Sequence, residues 1–315
     1  MNPELPSAAD LARFTLATQH PLIRSWQPDG ERLERLIEAH AFDLHLATDL
    51  ELAAQRSAFL DVGQEAQAFL NRWVRVSDDL EAMLSIRFEG LDRSKPFVDA
   101  TVLSRPFVHS DLEALVRAAR EMYSAFNPLY LRLWSAEPDG HFAGTGPDKR
   151  FLAAPLSELA TRQAPPELSL SPTRDLSRYL DAQTAYASVD AAHPAHLGQA
   201  HVQSEEDIQE SIDARTFFDV LVSGTWAGYV GATHETEGDT LGLDAHVVQE
   251  LILAPEFRGR GYGAALSTLL AAALPERGRV LIGTIHAENV GAQRAAKAAG
   301  RVDVGGWVQV RLTPA

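Results

Sequence analysis

Cysteine is absent from all 315 residues. That excludes a disulfide framework, a thiolate zinc site and a cysteine nucleophile, and it fits a reducing compartment. Basic residues are in the minority: 28 Lys and Arg stand against 43 Asp and Glu, a formal net charge of −15. The deficit falls on both halves of the chain, so neither is a basic module. Duplex nucleic acid is a poor partner for such a surface, since neutralising phosphates requires cations, whereas a cationic substrate such as an amine is compatible with it. Long hydrophobic runs are also missing. The most apolar stretch, Gly263 to Leu274, is interrupted by Ser267 and Thr268 and falls short of the roughly 20 residues that span a bilayer. Residues 1–29 carry Glu4, Asp10, Arg13 and Arg24 and no apolar signal core. The expectation is a cytoplasmic protein that engages neither membrane nor nucleic acid.

What is present describes a globular chain, with 45% hydrophobic and 23% charged residues. At roughly 150 residues per domain, the length suggests two domains. Ala164-Pro165-Pro166-Glu167 favours extended backbone and stops helices, so the expected domains are 1–162 and 163–315. In the first, Phe59, Val62, Ala66, Phe69 and Trp73 recur at helical spacing and predict one helix. A hairpin of Glu81–Phe88 and Phe97–Leu103, a helix over 111–123 and a strand over 128–134 follow. In the second, the order recurs: a short strand at 167–173, helices over 176–187 and 205–214, a hairpin around Ser223-Gly224-Thr225, and a strand at 246–253. Leu266, Leu269, Leu270, Ala273 and Leu274 then mark an amphipathic helix that Pro275 ends. A strand at 280–285 and a helix at 290–299 come next, and Gly305-Gly306 is expected to separate two final strands. The order of elements makes the fold class α/β (α+β).

The chemistry-bearing stretch runs from Val247 to Ala265, where a strand turns at Pro255 and enters the glycine-rich loop Arg258-Gly-Arg-Gly-Tyr-Gly-Ala264 at the start of a helix. A helix N-terminus presents unpaired N–H groups and partial positive charge, which suits a pyrophosphate. Glycines let the backbone approach it closely and adopt the φ values such a nest requires. Arg258 and Arg260 add cationic side chains. The looser dinucleotide pattern Gly259-x-Gly261-x-x-Ala264 is disfavoured by context, because Ala254–Arg258 intervenes after the strand and antiparallel strands precede it. No Gly-Lys-Ser/Thr follows, so it is not a Walker loop.

Arg258-x-x-Gly261-x-Gly263, following Leu253-Ala254-Pro255, resembles the acetyl-coenzyme A loop of the GCN5-related N-acetyltransferases. The resemblance takes in the hairpin at 217–232, the strand at 280–285 and Asn289-x-x-Ala292, and covers roughly residues 167–315. It implies a mixed central sheet with flanking helices, splayed between the strand at 246–253 and the strand at 280–285, with acetyl-coenzyme A as cosubstrate. Main-chain groups of Leu251, Ile252 and Leu253 would hold the pantetheine. Those of Arg258, Gly259, Arg260, Gly261, Tyr262, Gly263 and Ala264 would hold the pyrophosphate, and Asn289 would lie near the thioester arm. Many members carry a tyrosine, at the position of Ala296, that protonates the leaving thiolate; it is missing here. The tandem arrangement is similar to that of mycothiol synthases, and by that resemblance the first half, with Arg105-Pro-Phe-Val-His-Ser110 in place of a glycine loop, would be a degenerate copy. The implied activity is transfer of an acetyl group to the amine of a small molecule; the alternative is a coenzyme A-binding sensor or scaffold without turnover.

Transfer to an amine needs a base. Gln249 occupies the position where the family often has a carboxylate, which leaves Glu250 and His286 as the candidate catalytic residues. His246 is a further candidate at the start of its strand. His193, His196 and His201 are too loosely spaced for a zinc site, and no metal is expected.

Overall fold

The computed structural model describes residues 3–192, 201–235 and 241–312; His193 and His196 lie outside them. The described residues form two compact units. The first comprises residues 3–148, 241–243 and 305–312, and the second residues 149–192, 201–235 and 244–304.

The helices of the first unit are α1 (Ala8–Ala17), α2 (Ile23–Trp26), α3 (Asp29–Thr48), α4 (Leu50–Leu60) and α5 (Leu112–Tyr123), and strands β1 (Arg72–Arg75), β2 (Glu81–Phe88), β3 (Pro96–Leu103) and β4 (Tyr130–Ser135) supply its sheet. Alternation divides the strands: Leu84, Ile86, Val98, Leu131 and Leu133 pack with α5 in one core, while Arg87, Asp99 and Thr101 line a cavity on the other face. Ser7 and Asp10 close a reciprocal capping box at the start of α1. The single helix expected through Phe59 and Trp73 does not form. Helix α4 ends at Leu60 because Asp61 and Gly63 take left-handed φ values of 44° and 73°. One 3-10 turn follows at Ala66–Phe69, and Trp73 belongs to β1. Phe69 and Trp73 enter different clusters, so the apparent stripe is a coincidence of spacing.

The second unit holds most of β5 (Gly146–Pro155), then α6 (Leu156–Leu159), β6 (Leu168–Pro172), α7 (Tyr179–Ala192), α8 (Glu205–Asp213), β7 (Phe217–Val222), β8 (Thr225–Glu235), β9 (Ala245–Leu253), α9 (Tyr262–Ala273), β10 (Val280–His286) and α10 (Val290–Ala298). Its strands lie in the order β5-β10-β9-β8-β7-β6, and β9–β10 is the parallel pair. The β7–β8 hairpin turns at Ser223 and Gly224, with φ values of 50° and 82°, as a two-residue turn requires. Strand β5 carried no signal recognised in the sequence; it pairs antiparallel with β10 from Pro155↔Val280 to Lys149↔His286.

The last strand, β11 (Val302–Arg311), is continuous, contrary to the expected break at Gly305-Gly306. Gly305 has φ 127°, and a Cβ there would stand 2.7 Å from Trp134 Cζ2 and 2.9 Å from the Ser135 carbonyl oxygen. The glycine serves a close approach, not a turn. Residues 306–311 pair antiparallel with β4, completing the first unit's sheet in the order β1-β2-β3-β4-β11.

Among the described residues, each unit has one parallel pair, three residue pairs long. In the second, only Ala245, His246 and Val247 face Val280, Leu281 and Ile282, so β9 and β10 part beyond them. In the first, β3 and β4 pair only at Val98–Ala100 with Leu131–Leu133. Each has a bulge just past that point. Thr101 is the extra residue of β3, and Gln249 that of β9.

Candidate functional site

The site of the second unit is built where β9 leaves β10. Antiparallel pairing commits alternate main-chain groups of β9 to β8. Ala254 N–H donates to Ala227 O, and the Ile252 carbonyl stands so close to Gly228 that a Cβ there would lie 2.0 Å from its oxygen. Alternation therefore turns Leu251 and Leu253 to the edge facing the splay. Ile252, expected among the cosubstrate-binding residues, turns its main chain to β8 and buries its side chain with Phe217 and Tyr229.

After β9 the chain makes one 3-10 turn at Pro255–Phe257 and enters the glycine loop. Gly259 and Gly261 have φ values of 73° and 82°, and a Cβ on either meets no atom within 4 Å. Among the described residues, the amides of Gly259 through Ala264 donate to no main-chain acceptor outside regular helix pairing, and Tyr262, Gly263 and Ala264 form the first turn of α9, where no intrahelical acceptor exists. The result is an exposed run of donors at the positive end of a 12-residue helix. It fits a pyrophosphate. Gly263 has a different reason to be glycine: a Cβ would lie 3.3 Å from Ala295 Cβ, so it lets α10 pack against α9. Tyr262 is buried and donates its hydroxyl to Glu167 Oε1 at 3.0 Å.

The two arginines of the loop have separate roles. Arg258 was expected beside the phosphates, yet its guanidinium turns inward. Nε donates to Leu253 O (2.7 Å), Nη1 to Ser188 Oγ (2.9 Å) and Nη2 to Ala185 O (2.8 Å), tying the loop to α7 and to the end of β9. Arg260 is exposed and its guanidinium lies 5.9 Å from the Phe257 ring centre. It remains the cation available to an anion at the loop.

Glu250, on β9 just past the bulge, is fully buried. Its Oε2 accepts a short hydrogen bond from the Tyr186 hydroxyl, and its Oε1 accepts from Gln203 N–H at 2.7 Å. Desolvation pushes its pKa up to about 7, against these two hydrogen bonds, which favour the carboxylate. Burial, then the neighbouring carboxylate, holds the Tyr186 proton on well above the usual phenol range. Gln249 is held by α8: its side-chain oxygen accepts from Ser211 Oγ and its Nε2 donates to Asp207 O. Tyr186 and Gln203 were not singled out in the sequence, because neither lies in a motif: the packing of α7 on β9 brings Tyr186 to Glu250, and Gln203 reaches it from the segment that precedes α8.

His286 ends β10 on the opposite arm of the splay. Its Nδ1 accepts from Glu288 N–H at 3.3 Å, which leaves the proton on Nε2. Asn289 caps α10 through Oδ1, accepting from Ala292 N–H at 3.1 Å. Ala296 is fully buried in the same helix. His246 is buried too, and burial followed by nearby Arg279 lowers its pKa; it lies in the paired part of β9, away from the open edge. Among the described residues, no group of three His, Asp or Glu could hold a metal ion, and no helix is long and apolar enough to cross a membrane.

The first unit repeats the splay without the nest. Where the second unit has glycines, Asp111 Oδ2 accepts from Val108 N–H at 2.8 Å and from Arg105 Nη1 at 2.7 Å. Arg105 also reaches Asp79. An internal carboxylate thus takes up the loop amide and the cation that an incoming anion would need.

Residues 182–300 match the family model described as Acetyltransferase (GNAT) family, and that segment is a GNAT domain. Among solved structures, the chain is similar to a GCN5-related N-acetyltransferase from Kribbella flavida, with 13% identity and a TM-score of 0.44, covering 84% of this chain and 95% of that one. It is similar to another from Sphaerobacter thermophilus, with 14% identity and a TM-score of 0.47, covering 86% and 94%. A tandem GNAT protein from the clavulanic acid biosynthesis pathway gives 15%, 0.42, 85% and 97%. No curated protein matches the sequence.

Proposed function

We propose that the second unit transfers the acetyl group of acetyl-coenzyme A to the amine of a small molecule within one ternary complex. The observation that carries this reading is the run of amides from Gly259 to Ala264 left without main-chain acceptors beside an open strand edge. The loop amides and Arg260 bind the diphosphate, and the main-chain groups of Leu251 and the N–H of Leu253, whose carbonyl Arg258 holds, face the pantetheine. An amide on this edge polarises the thioester carbonyl. The amine nitrogen bonds to the carbonyl carbon, the carbon–sulfur bond breaks, and the amine proton passes through the Tyr186 hydroxyl to Glu250. A thiol with a pKa of about 8.5 leaves as thiolate without a protein acid, which accounts for the tolerance of Ala296.

The test is thermal denaturation with acetyl-coenzyme A, followed by thiol release over a panel of amines. Ligand at about a hundredfold its Kd adds about 2.7 kcal/mol, so absence of a shift at millimolar concentration removes the reading. A second reading, a coenzyme A-binding protein without turnover, is favoured by Ala296 and by the fixing of Gln249 to α8. It predicts the same thermal shift with no amine-dependent thiol release.

A further inference from the structure

The first unit contains a cavity of about 240 Å³ between α1, α3 and the sheet face that its core leaves free. Its polar groups are mostly satisfied. Thr15 Oγ1 meets His40 Nε2 at 2.8 Å, and His40 Nδ1 meets Asp43 Oδ2 at 3.0 Å, a hydrogen-bonded chain along one wall. Both Asp99 oxygens accept from Arg132, at 3.0 and 2.7 Å. Arg87 lines the same space, and among the described residues no carboxylate, carbonyl or ring engages its guanidinium. Phe42, Trp134 and Trp307 add apolar walls, and Arg132 stacks over Trp307 at 4.2 Å, fixing that ring.

We infer that this cavity binds a small aromatic carboxylate, its ring between the aromatic walls and its carboxylate on Arg87. The sign of the ligand follows from hydrogen-bonding capacity: the aspartates are already paired, whereas the five N–H donors of Arg87 are open. A single unengaged guanidinium beside the carboxylates of Asp43 and Asp99 suits one negative charge and not two, so a carboxylate fits better than a dianionic phosphate. The volume admits a single ring system and little more. The site is separate from the proposed acetyl transfer, and neither depends on the other.

Calorimetric titration of the full chain with benzoate, phenylacetate and indole-3-acetate tests this, with benzamide, benzylamine and inorganic phosphate as the neutral, cationic and ring-free probes. Saturable binding of at least one carboxylate is expected, about tenfold or more tighter than the other three probes. Arg87→Gln weakens that binding about ten- to a hundredfold without lowering the melting temperature, while Arg87→Lys restores part of it. The assignment is overturned if no carboxylate binds up to about 10 mM. It is also overturned if benzylamine or phosphate binds as tightly, or if Arg87→Gln leaves the affinity unchanged in a protein that melts normally.

Discussion

Glu250 holds its proton more tightly than an exposed carboxyl because it sits where water cannot solvate the charge. Its pKa rises from 4.5 to about 7, so the favourable contribution to folding is complete below pH 4.5 and is lost as pH climbs through 7. The loss amounts to about 3 kcal/mol. Urea denaturation at pH 5 and pH 8 should show the wild type losing stability relative to Glu250→Gln, which keeps an acceptor for Tyr186 but cannot ionise. Catalysis runs the other way, since only the carboxylate accepts a proton. We expect kcat/KM to rise with pH through about 7 in the wild type, and Glu250→Gln to abolish that limb. Retention of the limb in His286→Ala would keep the base at Glu250; its disappearance there would move the base to His286. Gly261, with φ 82° and open space beyond its Cα, answers a simpler question. Gly261→Ala should lower stability by about 1 kcal/mol through the left-handed conformation and shrink the acetyl-coenzyme A-induced rise in melting temperature, because the new methyl points into ligand space. The glycines were legible in the sequence, since left-handed backbone at a helix start has few other solutions. The burial of Glu250 was not: alternation places it on a face without saying what covers that face.

At the scale of elements, the loop is shaped by what it is tied to. Arg258 reads as a phosphate ligand from its neighbours in sequence, but the end of β9 and the carbonyl of Ala185 in α7 offer it acceptors a few ångströms away. A half-buried guanidinium with three acceptors gains more there than at a solvated loop tip. Arg258→Ala should cost about 1–3 kcal/mol in a denaturation experiment, because it removes three hydrogen bonds, to the Leu253 and Ala185 carbonyls and to Ser188 Oγ, and should weaken acetyl-coenzyme A by loosening the loop. If the variant is as stable as wild type and loses only ligand affinity, the arginine is a direct phosphate ligand after all. The helix wrongly expected through Phe59 and Trp73 shows the converse limit. Its 3.6-residue periodicity was real, but Asp61 and Gly63 bend the chain between two clusters that each needed an aromatic residue.

At the scale of the whole molecule, two units share one plan of bulge and splay, yet among the described residues only the second keeps a nest of free amides. In the other, Asp111 and Arg105 satisfy the loop internally. Calorimetry should therefore return one acetyl-coenzyme A per chain, and Asp111→Asn should leave that stoichiometry unchanged; two sites of similar affinity would contradict the contrast between the loops.

The sequence by itself determined the hairpins, the helix that follows the glycine loop and the left-handed glycines of that loop, because each depends on residues adjacent in the chain. Tertiary structure alone decided that residues 149–155 belong with β10 and residues 306–311 with β4, that Arg258 clamps α7, and that Tyr186 and Gln203 meet Glu250. These pairings join residues tens to nearly two hundred positions apart. They are selected by which edge needs a partner and which charge needs burial, neither of which is encoded in any local pattern.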